Sequence, residues 1–132
     1  MTGRYLLDTN IVIGLFAADE TITESLKQAE SVFVSSIVLG ELCYGAYKSQ
    51  RVQENISRMD KFAVANAVLH NDTETARQYG AIKERLYRKG HPIPENDIWI
   101  AAVALQFNLT LVSRDAHFAE ITDLQVDSWL ET

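Results

Sequence analysis

The chain has 132 residues, 47% of them hydrophobic and 23% charged, which are the proportions of one soluble globular domain with no room for a second core. No apolar run approaches the roughly 18 residues that cross a bilayer, and the early run Ile11–Ala18 has only Arg4 as a basic leader, so neither a membrane anchor nor a secretion signal is expected. A lone cysteine, Cys43, excludes an internal disulfide and suits a reducing compartment, so a cytoplasmic protein comprising a single domain over residues 1–132 is expected.

In chain order, Arg4 to Leu7 reads as a short buried strand that ends at Asp8. Asn10 to Ala17 reads as a short helix that Asp8, Thr9 or Asn10 can cap. Thr21 or Thr23 can open a second helix running to about Ala29. Val32-Phe33-Val34 is apolar throughout, as in a strand covered on both faces. Ser35 or Ser36 then caps a helix through Ile37 to Tyr44, and another helix covers Val52 to Val64.

Ala67-Val68-Leu69 reads as a third strand and Thr73 to Arg88 as a long helix. Gly90-His91-Pro92-Ile93-Pro94 breaks that helix. Asn96 to Phe107 resumes helix, and Leu109 to Val112 is a fourth strand. Asp115 to Glu120 forms a helical turn, and Leu124-Gln125-Val126 is a fifth, weak strand. Strands alternating with helices imply an α/β fold with a parallel sheet and helices on both faces. Such sheets bind ligands just beyond the carboxyl ends of their strands.

That rule gives four acids a common address. Asp8 follows the first strand and Asp115 the fourth. Glu41 lies in the second turn of the helix leaving the second strand, and Asp97 opens the helix that returns to the fourth. Singly, Asp8, Asp97 and Asp115 are explained as helix caps. Glu41 is harder to explain that way, because it shares a helix with Ile37, Val38, Leu42 and Cys43, and an unpaired carboxylate there is costly. Asp97 likewise shares a face with Ile100, Ala101 and Ala104. Gly40 and Gly45 are expected to admit another backbone beside Glu41.

Carboxylates drawn together repel unless protons or cations intervene. Hard oxygen ligands suit Mg²⁺, or Mn²⁺, and no Cys/His set suggests zinc. His70, His91 and His117 are read as surface or loop residues without a role. The net charge of −6 is awkward for a nucleic-acid partner. Arg77, Lys83, Arg85, Arg88 and Lys89, however, stand against the single acid Glu84 between them, and that stretch is a candidate track for a phosphate backbone.

Four segments carry a family resemblance: Leu6-Leu7-Asp8-Thr9-Asn10, Val34 to Leu42, Asn96 to Ala102, and Leu111 to Phe118. In order and spacing they resemble the PIN-domain ribonucleases, and among these the VapC-like toxins of type II toxin–antitoxin pairs. The resemblance implies a three-layer α/β/α sandwich around a short parallel sheet, usually a homodimer. It implies that Asp8, Glu41, Asp97 and Asp115 form an acidic metal site, with Thr9 and Ser113 supporting it through their hydroxyls. It further implies Mg²⁺-dependent hydrolysis of RNA to 5′-phosphate and 3′-hydroxyl ends, and a VapB-like antitoxin that occludes the site. The chain departs from the pattern after Asp115, where many relatives carry a further acid and this one has Ala116, His117 and Phe118. Two other classes compete. A phospho-accepting receiver domain has similar size and an acidic Mg²⁺ site, but it wants a second acid beside Asp8 and a lysine where Ser113-Arg114 stands. A PIN-like module that only binds would keep the fold without the chemistry. A metal-dependent phosphatase of the common aspartate type would need Asp-x-Asp after the first strand, which is lacking.

Overall fold

The computed structural model describes residues 3–130, and within them five strands form one sheet whose every pairing is parallel. The strands are β1 (Arg4–Leu7), β2 (Ser31–Ser35), β3 (Ala67–Leu69), β4 (Thr110–Val112) and β5 (Val126–Asp127), ordered 3-2-1-4-5 across the sheet. Six helices connect them: α1 (Thr9–Phe16), α2 (Glu20–Gln28), α3 (Ser36–Tyr47), α4 (Val52–Ala65), α5 (Thr73–Arg88) and α6 (Glu95–Gln106). A 3-10 turn (Ala116–Glu120) lies between β4 and β5. This is the three-layer α/β/α sandwich expected. No helix among the described residues is long and apolar enough to cross a membrane.

Its central position explains the composition of β1. Tyr5, Leu6 and Leu7 are all buried, and their neighbours Val34, Leu111 and Val112 are buried with them in one apolar cluster. β1 is also where the strand order reverses, with β2 on one side and β4 on the other. Such a switch point opens a crevice at the carboxyl ends of the two strands that flank it. Leu7 pairs with Val112, and the Asp8 amide donates to the Val112 carbonyl at 2.9 Å, so whatever follows β1 lies beside whatever follows β4.

Most elements fall within two residues of their expected bounds; α3 runs three residues past Tyr44, to Tyr47, and the other departures have local causes. Helix α2 is capped neither by Thr21 nor by Thr23. Asp19 does this instead, accepting the Ile22 amide at 3.1 Å, while the Thr23 hydroxyl donates back to the Asp19 carbonyl. Strand β5 is shifted to Val126–Asp127, the pair that meets Leu111 and Val112. Helix α5 ends where Gly90 takes φ +76°, which lets His91 donate to the Leu86 carbonyl and Gly90 to that of Tyr87. Close packing against a glycine occurs instead at Gly14, where an added Cβ would lie 2.4 Å from the Ile22 side chain of α2. It does not occur at Gly40 or Gly45, where a Cβ would meet nothing within 4 Å. Those two glycines instead border open grooves on either side of Glu41.

Candidate active site

The four acids meet. Asp8 sits at the junction of β1 and α1, 5% exposed, with its Oδ1 accepting the Thr9 amide at 2.8 Å and its Oδ2 accepting the Ser113 hydroxyl at 2.6 Å. The Thr9 hydroxyl donates to Glu41 Oε1 at 2.6 Å, which ties α3 to the same corner. Ser113 Oγ also accepts the Asp115 amide at 3.0 Å, and Asp115 Oδ1 accepts the His117 amide at 2.9 Å. His117 Nδ1 then lies 3.0 Å from Asp115 Oδ1 and 3.0 Å from Asp97 Oδ2. One hydrogen-bonded chain therefore runs from Glu41 through Thr9, Asp8, Ser113, Asp115 and His117 to Asp97.

Asp8 and Asp115 do cap the helical turns they precede, as the simplest reading of the sequence allowed. Capping and clustering coexist, because a carboxylate has two oxygens and a cap occupies one. Asp97 is in the first turn of α6 but makes no cap bond; Pro94 is the boundary residue there.

The electrostatics match a crowded pocket. Burial is the main force pushing the Asp8 carboxyl above its usual range; the Ser113 and Thr9 hydrogen bonds oppose it, and the charges of Glu41 and Asp115 add to it. Asp97 is also raised, first by burial, against the pull of His117 and with the push of Asp8 and Asp115. His117 is raised because Asp97 hydrogen-bonds it and both aspartates favour its cationic form. Among the described residues no lysine or arginine pairs with any of the four acids. Three or four carboxylates relieved by one imidazole remain strongly anionic, and a divalent cation fits that deficit. Asp97, Asp115 and His117 each offer a ligand atom within 4.8 Å of the others.

The role denied to His117 must therefore be revised. Its Nδ1 is placed to donate a proton to the two aspartates or to join them in offering ligand atoms to a cation. Its position two residues after Asp115, inside the first turn of a short helix, was the available signal. Arg114 is a second residue that sequence reasoning passed over. Its amide donates to Asn10 Oδ1 at 3.2 Å, and its guanidinium bridges Asp19 at 3.3 Å and the carbonyls of Ser128 and Trp129 at 3.2 and 2.9 Å. It thus clamps the loop carrying Ser113 and Asp115 to α2 and to the carboxy-terminal segment. Arg114→Ala should destabilise the domain by about 1–2 kcal/mol, since three partly solvated bonds to a charged donor are lost. A urea titration monitored by circular dichroism measures this; an unchanged midpoint would remove Arg114 from the scaffold.

The basic stretch of α5 is less free than its composition implied. Arg77 pairs with Glu74, Lys83 with Glu95, Arg88 with Glu84 and Lys89 with Glu120. Of the five, Arg85 alone has no acidic partner among the described residues. Asp72, which follows β3, is engaged at the start of α5 in a capping box with Thr75 and a bond from Gln106.

With this geometry in hand, similarity is informative. The sequence model of the PIN domain matches residues 5–124, and the chain belongs to the PIN-domain family, among its VapC-like ribonucleases. Ribonuclease VapC2 of Haemophilus influenzae is 36% identical over 130 residues, spanning 96% of this chain and 98% of the relative. The tRNA(fMet)-specific endonuclease VapC of Salmonella typhimurium is 33% identical over 129 residues, spanning 96% and 98%. The crystal structure of DNA-bound VapBC from Salmonella typhimurium superposes with a TM-score of 0.89 at 32% identity, covering 96% of this chain and 98% of that one.

Proposed function

We propose that this protein is a metal-dependent endoribonuclease, the toxin of a toxin–antitoxin pair. The observation that carries the reading is the hydrogen-bonded chain from Glu41 to Asp97, which gathers four carboxylates at the switch point of the sheet without a lysine or arginine among them.

Asp8, Asp97 and Asp115, with Glu41, would hold one or two Mg²⁺ or Mn²⁺ ions. A bound divalent ion supplies a Lewis acid for the phosphodiester oxygens and lowers the pKa of the attacking water. The protein's own groups do the rest. Ser113 fixes one oxygen of Asp8 and the backbone of Asp115 together, so the two carboxylates keep a constant separation. Thr9 holds Oε1 of Glu41 and leaves Oε2 without a partner among the described residues, free to orient the water. Water oxygen bonds to phosphorus and the P–O3′ bond breaks, leaving a 5′-phosphate and a 3′-hydroxyl.

RNA is the substrate class because the relatives are ribonucleases and the pocket is open to solvent beside Glu41. The Salmonella relative's name makes a transfer RNA the first substrate to try. A VapB-like antitoxin is the partner, and the protein works as a homodimer. An apolar groove lined by Ile13, Phe16, Leu42, Ala46 and Met59 ends at Thr9 and Glu41. A partner segment lying in it could reach the carboxylates with a basic side chain, where opposite charge favours capture.

Purified protein incubated with total RNA should cleave it in Mg²⁺ and not in EDTA, and end analysis should find 5′-phosphates. Cleavage that persists in EDTA would overturn the metal dependence, and a protein that binds RNA without cutting it would leave only the binding-module reading standing.

A further inference from the structure

A second opening shares a wall with the acidic cluster. Ser36, Ile37, Gly40, Glu41, Tyr44 and Asn96 surround a cavity of about 570 Å³ between the start of α3 and the start of α6. Apart from Glu41, its chemistry is unlike that of the cluster: a phenol ring, an amide, a hydroxyl and aliphatic surface. Tyr44 is 66% exposed, so much of its ring is open to solvent. Lys48, the residue just past the end of α3, holds its ammonium 4.8 Å from the centre of that ring. Asn96 is exposed, adjoins Asp97, and its amide makes no hydrogen bond among the described residues. Gly40 leaves the cavity open, since a side chain there would project into space that nothing else occupies.

We infer that this cavity is a nucleobase subsite: it takes the unstacked base of a nucleotide flanking the scissile phosphate, stacked on Tyr44, with Asn96 reading its edge. This rests on the ribonuclease reading of the acidic cluster. Proteins hold single-stranded RNA by stacking splayed bases on aromatic rings and bonding their edges, and every base has a face to stack. An amide offers both a donor and an acceptor, as base edges do. The Lys48 ammonium on the ring lies where an adjoining phosphate would pass, and it supplies the positive charge that the acidic cluster lacks. Glu41 belongs to both the cavity and the cluster, so a base seated on Tyr44 carries its phosphate toward the carboxylates. A base locked in a duplex cannot enter, so the subsite selects loops and single strands.

The test uses the full chain with Mg²⁺ and a mixed-sequence single-stranded RNA oligonucleotide, beside the same sequence held in a duplex. Tyr44→Ala should raise KM about 5- to 100-fold, the range that losing one base stack gives, with a smaller change in kcat. Gly40→Leu should do the same by filling the cavity; leucine is the better helix former, so the variant is expected to fold. Tyr44→Phe keeps the ring and should restore KM. An abasic nucleotide beside the cleaved bond should weaken the wild type and add nothing to Tyr44→Ala. Cleavage with an unchanged KM in both Tyr44→Ala and Gly40→Leu would overturn the subsite while leaving the nuclease intact. Loss of self-association in Tyr44→Ala at an unchanged KM would overturn it too, and would make this face a contact between copies. Should the wild type not cleave at all, the nuclease reading fails by itself, and the subsite is judged by fluorescence anisotropy of the same oligonucleotide. Weaker binding by Tyr44→Ala then supports it, and equal binding removes it.

Discussion

Asp8→Asn should cut Mg²⁺-dependent RNA cleavage by more than about 100-fold and, at neutral pH, make the metal-free domain more stable. The first half follows from position. Substituting groups that only support a metal ligand costs about 10–100-fold in affinity or activity, and Asp8 is proposed as a ligand itself. The second half follows from burial. Asp8 is 5% exposed and its carboxyl is held above its usual range, chiefly because burial penalises the charge. At pH 7 the folded state bears that cost, together with repulsion from Glu41 and Asp115. Asparagine removes the charge and keeps the shape. Its oxygen can accept the Thr9 amide, and its nitrogen can donate to Ser113 Oγ, whose hydroxyl rotates to suit. Lost function with gained stability is the signature of a site that strains the fold for its chemistry. Cleavage assays and urea melts on the same preparation decide it. Cleavage at the wild-type rate removes Asp8 from the chemistry, and lost activity with lost stability reassigns Asp8 to the scaffold.

The elements that position this site were legible because each acid is tied to a strand end or a helix start. The apolar runs at Tyr5–Leu7 and Leu111–Val112 mark doubly covered parallel strands, and the residue after such a strand lies at the binding edge by topology alone. Glu41 and Asp97 were legible as acids on apolar helices leaving or returning to that edge, but the direction of their side chains was not. What stayed hidden depended on direction and distance. His117 reaches Asp97 only because the Asp115 cap sets the turn that aims its ring, and spacing says nothing of ring direction. Arg114 is anchored by the carbonyls of Ser128 and Trp129, groups every residue has, so no residue type announced the contact. Most of the excess charge of α5 is neutralised for a similar reason. Glu74, Glu95 and Glu120 neutralise it from outside the stretch that was counted, two of them from other elements.

Mg²⁺ should raise the melting temperature of this protein far more at pH 8 than at pH 4, and the metal-free melting temperature should carry the opposite trend from the site groups. Asp8 and Asp97 both have carboxyls raised from a usual value of 3.8. The folded state therefore holds their protons more tightly than the unfolded state does. Their contribution is most favourable at low pH and is lost as pH climbs from that usual value through the raised one. His117 has the same sign, since its raised value gives stability below the usual 6.5 that is lost as pH rises past the folded value. Asp19, Asp72, Glu84 and Glu95 are lowered and work in the opposite direction, so the raw pH profile mixes the two. The difference with and without Mg²⁺ cancels them, because the ion competes only with protons on the groups that bind it. At a concentration about 100 times its dissociation constant a ligand adds about 2.7 kcal/mol, which is roughly 10 °C for a chain of this length. That shift is expected near pH 8, shrinking toward pH 4, close to the usual carboxyl value, as protons occupy Asp8 and Asp97. Asp8→Asn should abolish most of it at both values. Differential scanning fluorimetry with Mg²⁺ or EDTA is sufficient to measure it, and an equal shift at both pH values, or one that survives Asp8→Asn, would place the ion somewhere other than among these carboxylates.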